Sequence, residues 1–187
     1  MSNIEQSYPE DLQEILNYAE ELSISIIDKL NHFDAKKVND FYTVTNEKII
    51  RNKALFNELG YIPNTISSNS KNEQPNEFKG LYIFGEKTNG IIVPVYVGIS
   101  RTIFRRLRQH AWGKNHNECT LAYLKTKHSN KAITRKIVTS DDMLPAKSKI
   151  QNYTVVLIPV PNDYDLYFLE VVLAGKYKTK WNSFRTH

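Results

Sequence analysis

The sequence predicts an α+β fold in which three short strands are separated and flanked by helices, after an all-helical N-terminal segment. Three observations carry this reading. Leu12, Ile15, Leu16, Ala19, Leu22, Ile26, Ile27 and Leu30 recur at helical spacing. Two β-rich runs, 80–84 and 91–97, are separated by a spacer ending in Asn89-Gly90, a hairpin-turn pair because both residues tolerate positive φ. A third run, 153–160, is dense in Val, Ile and Thr.

Taken in order, Ser7, Pro9 and Glu10 supply an N-cap, a first-turn proline and a capping-box glutamate for a helix running to about His32. Asp34 caps a shorter helix over 35–42. Asn46 begins another through Glu58, with Gly60 as its stop. Between 61 and 77 the composition turns to Asn, Ser, Pro and Gln, too poor in apolar residues to pack alone. The predicted organisation is therefore a helical segment 1–60, a polar linker 61–77 and a second domain 78–187. In that domain Pro94 lacks an N–H, which places its strand at a sheet edge or a bulge. Gly98 is read as the strand breaker, and Ser100 as the cap of a helix with Ile103, Leu107 and Ala111 on one face. The stretch 113–150 is the least legible. Leu121, Ala122 and Leu124 suggest a short helix there, and Ala132, Ile133 and Ile137 another. Asn162 or Asp163 caps a helix carrying Glu170.

Composition narrows the setting. Cys119 is the only cysteine, so no disulfide forms within the 187 residues, and a reducing compartment is expected. There is no basic-then-apolar leader and no apolar run of membrane-spanning length, which reads as a soluble cytoplasmic protein with no membrane partner. Residues 1–73 carry 7 Lys+Arg against 12 Asp+Glu, a net of −5, whereas residues 74–187 carry 18 against 8, a net of +10. Such a division fits a basic half that meets a polyanion, or a lysine-rich solvated surface.

Chemistry-bearing residues cluster in the basic half. On a helix, Arg101, Arg105, Arg108 and Trp112 form a stripe suited to tracking phosphates, and Arg106 and His110 form a neighbouring pair four apart. Lys125, Lys127, Lys131, Arg135 and Lys136 extend the basic character downstream. His116, Glu118 and Cys119 invite a zinc reading with His110, but they lack the paired, short-spaced ligands of structural zinc and read better as a loop. Glu170 is the only charged side chain from Leu166 to Gly175. A carboxylate there calls for a metal ion or a salt bridge. Tyr82 and Tyr96 fit packing roles in strands, or the role of a base if positive charge lowers a phenol pKa from near 10.

The order of these parts resembles the GIY-YIG nuclease family. Gly80-Leu81-Tyr82 stands for the first signature and Tyr96-Val97-Gly98 for the second. Arg106 lies ten residues past the second tyrosine, with His110 four further on, Glu170 on a downstream helix and Asn182 near the end. The resemblance covers roughly 80–184. It implies one small three-stranded antiparallel sheet flanked by helices, and a metal-dependent endonuclease acting on branched or sequence-specific DNA. In that scheme Glu170 holds one Mg²⁺ or Mn²⁺, Tyr82 or His110 activates water, and Tyr96 positions it. Arg106 grips the phosphate, and Asn182 bonds substrate phosphate or supports the site. The basic residues of 101–112 and 125–136 carry the duplex. One departure is Ile99, where the family often has lysine. Two alternatives stay open, a nucleic-acid-binding module that does not cleave and an interaction protein acting through the acidic N-terminal helices. Those helices also suit homodimerisation or a protein partner.

Overall fold

The computed structural model describes residues 8, 11–46, 48–59, 77, 79–182 and 184. In chain order its elements are α1 (Leu12–Asn31), a 3-10 turn (Val38–Phe41), β1 (Tyr42–Thr45), β2 (Lys48–Arg51), α2 (Lys53–Glu58), β3 (Gly80–Thr88) and β4 (Ile91–Ser100). Then come α3 (Ile103–Trp112), α4 (Thr120–Ser129), α5 (Leu144–Gln151), β5 (Thr154–Pro159) and α6 (Asp163–Tyr177). The chain divides into two compact units that interleave in sequence: 1–35 with 79–101 and 154–187, and 36–78 with 102–153. Among the described residues no helix is long and apolar enough to cross a membrane.

The first unit is a three-stranded antiparallel sheet, ordered β4-β3-β5, with α1 and α6 packed on it. Strand alternation sends Leu81, Ile83, Val97, Val156 and Ile158 to one face, where they meet Ile15, Ala19, Leu22, Ile26 and Leu30 of α1 and Leu166, Leu169 and Leu173 of α6. The N-terminal helix is therefore docked on the sheet. Tyr177 ties α6 to α1 by donating its hydroxyl to the Ser23 carbonyl at 2.8 Å. Leu12, Leu16 and Ile27, counted in the apolar stripe, stay exposed.

The β3–β4 hairpin turns at Asn89 and Gly90, with φ of 51° and 90°, as the Asn-Gly pair predicts. Both strands are longer than expected. Glu86, Lys87 and Thr88 belong to β3, and Gly98 does not end β4, which runs on to Ser100. Pro94 lies in an outer strand and beside an irregularity, since the pairing jumps from Phe84↔Tyr96 to Gly85↔Pro94. The cap of α1 is Asp11, whose carboxylate accepts from Gln13 N at 2.7 Å. The expected cap at Ser7, Pro9 and Glu10, and the stop at Gly60, fall outside the described residues.

The second unit corrects the expectation that the segment before 60 is all helical. Where helices over 35–42 and 46–58 were expected, the chain makes a 3-10 turn, the β1–β2 hairpin and only a short α2. The β-branched residues Thr43, Val44, Thr45, Ile49 and Ile50 favour strands, and Asn46 makes the turn at φ 48°. Phe41, Phe56 and Phe104 form the aromatic centre of this unit, with ring centroids 4.0–6.2 Å apart. Helix α4 matches expectation. The helix expected at 132–137 is absent, those residues forming turns, and α5 begins only at Leu144 with Pro145 in its first turn. The caps also differ: α3 starts after Thr102 rather than Ser100, while Asn162 caps α6 by accepting from Tyr164 N and Asp165 N.

Candidate functional site

In the first unit, the sheet face opposite the helices carries Tyr82, Phe84 and Tyr96. Residues two apart on β3 share a face, and the register sets Phe84 opposite Tyr96. The Tyr82 and Tyr96 ring centroids are 6.1 Å apart and each flanks Phe84, at 5.3 and 6.0 Å. Tyr82 is 1% exposed, whereas Tyr96 is half-buried and is the more open of the two. Gly98 stands opposite Tyr82, and a Cβ there would meet the Tyr82 phenol at 2.4 Å. Gly80, too, leaves no space for a side chain, because its Cβ would fall 2.0 Å from the Ile158 carbonyl oxygen. The glycines of both signatures are thus steric requirements of the sheet that holds the tyrosines.

Asn182 reaches back to the strand between those tyrosine-bearing positions. Its Oδ1 accepts from Val97 N at 2.9 Å and from the Thr179 hydroxyl at 2.8 Å, while its Nδ2 donates to Val97 O at 2.7 Å. The neighbouring Trp181 N donates to Val95 O at 3.2 Å. The amide of Asn182 is therefore committed to the backbone of β4, which favours support of the site over contact with a substrate phosphate. Asn182→Ala is expected to cost about 1–2 kcal/mol for the two lost backbone bonds, read as a lowered urea midpoint with an unchanged m-value.

Glu170 projects from α6, the helix that lies along β4. It is half-buried, and among the described residues it makes no hydrogen bond or ion pair. Burial alone pushes its carboxyl up to about 7. A structural salt bridge, the competing sequence reading, is not formed among the described residues. The donor set fits a hard cation of the Mg²⁺ type, which is often held by one or two carboxylates with water completing the shell. Among the described residues no group of three or more His, Cys, Asp or Glu side chains comes together, and Glu170 would hold such an ion with water completing the shell. Asp163, at the start of the same helix, is instead paired with Lys79 at 3.0 Å and Arg101 at 2.8 Å, and the Lys79 bond leads in holding its carboxyl low.

Arg106 and His110 belong to the second unit, on α3. His110 lies with Ile103, Leu107 and Ala111 on the packing face and is fully buried. Desolvation, then the Arg106 charge, holds its pKa well below the ordinary histidine value, so the ring is neutral. Arg106 is half-buried. Its Nη1 donates to the Glu118 carbonyl at 2.8 Å and more weakly to Gln109 Oε1 at 3.4 Å, pinning the loop that follows α3.

The predicted basic stripe does not hold as one line. Arg101 precedes the helix, belongs to the first unit and is paired with Asp163, while Arg105 and Arg108 stay exposed on α3. Trp112 packs edge-on against Tyr42 at 5.1 Å. Lys125 is buried, bonded to the Tyr153 hydroxyl, and is withdrawn from the surface. Lys127, Lys131, Arg135 and Lys136 are exposed, with Arg135 over the Tyr123 ring at 5.7 Å. In the loop after α3, Glu118 accepts from Lys114 N at 3.0 Å, and Cys119 is buried against Met143. Two residues absent from the sequence reading also matter. Glu77, taken as the end of a linker, has a side chain only 2% exposed, accepts from Phe104 N and Arg105 N at 2.9 Å each, and pairs with Arg51. No local pattern signals a contact across 27 residues.

Residues 78–144 match the family model described as the GIY-YIG catalytic domain. No curated protein matches this chain. Among solved structures the chain is similar to the GIY-YIG N-terminal endonuclease domain of UvrC from Thermotoga maritima bound to its catalytic divalent cation, magnesium. That match is 23% identical, covers 57% of this chain and 85% of that one, and has a TM-score of 0.32. A Tyr-to-Phe point mutant of the same domain, bound to the catalytic divalent cation, is 24% identical over 57% and 84% of the two chains, also at a TM-score of 0.32.

Proposed function

From the match of residues 78–144 to the GIY-YIG catalytic domain model, we propose that the protein is a metal-dependent endonuclease that hydrolyses phosphodiester bonds in DNA. The observation that carries this is Glu170, a half-buried carboxylate without an ion pair among the described residues, in the unit whose sheet presents both tyrosines. Glu170 holds one Mg²⁺ or Mn²⁺. When bound, the ion supplies Lewis-acid stabilisation of charge on the leaving oxygen. Tyr82, in its phenolate form, accepts the proton of the attacking water and returns to the phenol, while Tyr96 orients that water. Arg106, with Nη1 anchored, grips substrate phosphate through its remaining nitrogens. Exposed Lys127, Lys131, Arg135 and Lys136 add backbone contacts, so affinity falls as salt rises. A cytoplasmic setting, with Cys119 kept as a thiol, belongs to the same reading.

The test is nicking of supercoiled plasmid at low salt with Mg²⁺ or Mn²⁺. Arg106→Lys keeps the charge but loses the planar fork, and is expected to slow nicking about 10²-fold. Binding without metal-dependent nicking by the wild type would replace the enzyme with a non-cleaving module.

A further inference from the structure

In the second unit, Arg51, Phe104, Arg105 and Arg108 line a pocket of about 280 Å³. Arg51 comes from β2, the hairpin that precedes the matched family region, and the other two arginines come from α3. Three features hold Arg51 in place. Its guanidinium pairs with the enclosed Glu77 carboxylate and lies 5.9 Å from each of the Phe56 and Phe104 ring centroids. Glu77 is in turn fixed by the Phe104 and Arg105 amides. Arg105 and Arg108 are exposed and, among the described residues, make no ion pair. The pocket is lined by three guanidinium groups, of which, among the described residues, Arg51 alone is paired with a carboxylate, that of Glu77, so the four groups together carry a net +2.

We propose that this pocket takes a phosphodiester group of a nucleic-acid backbone. Arg105 and Arg108 contact the phosphate oxygens, with Arg51 as a pre-set wall. Planar guanidinium groups suit the oxygens of a phosphate, and the enclosed Phe104 lines the pocket with them. The proposal rests on the nucleic-acid reading above and adds a phosphate contact to which the N-terminal segment contributes. Glu77 gives it a distinctive signature, because its charge weakens the pocket while organising it.

The experiment is fluorescence-anisotropy titration of a 20-base-pair duplex with the full chain, in EDTA so that nothing is cut, across a salt series. Arg105→Ala with Arg108→Ala is expected to lower the slope of log K against log salt by about 2. Lys149→Ala, an exposed lysine outside the pocket, is the control and is expected to leave the slope in place. Glu77→Gln is expected to tighten binding about 3-fold at low salt, a gain that misfolding cannot mimic. An unchanged slope in the double variant, with the wild type still binding, would overturn this pocket and leave the nuclease reading intact. Failure of the wild type to bind any duplex would overturn both. Competition by inorganic phosphate that is lost in the double variant, without loss of duplex binding, would assign the pocket to a free anion and overturn the backbone proposal. Arginine-dependent binding by a protein that never nicks would support the pocket while the enzyme reading fails.

Discussion

Glu170→Gln is expected to abolish metal-dependent nicking, by about 10³-fold or more, while making the metal-free protein more stable. The amide is nearly isosteric, so the loss of activity reports loss of the ion's carboxylate and of the charge stabilisation it brings. The gain in stability follows from burial. The carboxyl titrates at about 7 in the folded chain against an ordinary value of 4.5, so between those values the folded state binds more protons than the unfolded one. Stability from this group is therefore fully present below about 4.5, falls as pH rises towards about 7, and is level above that. Discounted for partial exposure and solvent screening, the charged form costs about 1–2 kcal/mol at pH 8. Thermal melts in EDTA at about pH 4 and pH 8 read it directly. The variant should match the wild type at the lower pH and exceed it at the higher. Equal melts at both values, with nicking retained, would remove Glu170 from the site.

Gly98→Val is expected to destabilise the protein by about 3 kcal/mol or more, and Gly98→Ala by about 1–3 kcal/mol, as overpacking of a closed interior. The added Cβ falls 2.4 Å from both Cζ and Oη of Tyr82, whose ring is almost wholly enclosed and cannot swing aside cheaply. Urea unfolding measures the loss. A double-mutant cycle assigns it, since the cost of Gly98→Ala should shrink sharply in a Tyr82→Ala background. Additive costs would mean that the glycine answers to something other than the phenol.

What the sequence made legible was local. Asn89-Gly90 announces its own turn, the β-branched run at 153–160 announces β5, and Asn162 announces the start of α6. The hairpin at 42–51 runs against helices drawn from the cap-type residues Asp34 and Asn46, because Asn46 makes the turn instead and the branched Ile49 and Ile50 favour a strand. The arginine stripe was drawn two residues too early, since nothing in the composition shows that Arg101 leaves the helix to meet Asp163. Lys125 looked like surface charge, although a tyrosine hydroxyl 28 residues away holds it inside. At the candidate site Glu170 stood out as the lone charge in an apolar run, whereas Tyr82 and Tyr96 stood out only through the resemblance whose two signatures carry them. The commitment of Asn182 to Val97 and of Glu77 to the start of α3 depends on contacts that only folding creates.

The pairing of Trp181 and Asn182 with Val95 and Val97 also decides where the chain can be cut. The matched region stops at 144, ahead of β5, α6 and both of these residues. A fragment ending there would leave β3 without its β5 neighbour and strip Val95 and Val97 of their tail contacts. Two unshielded rows of amides and carbonyls template cross-chain strand addition. Such a fragment is expected to aggregate under conditions in which the full chain does not, as light scattering would read.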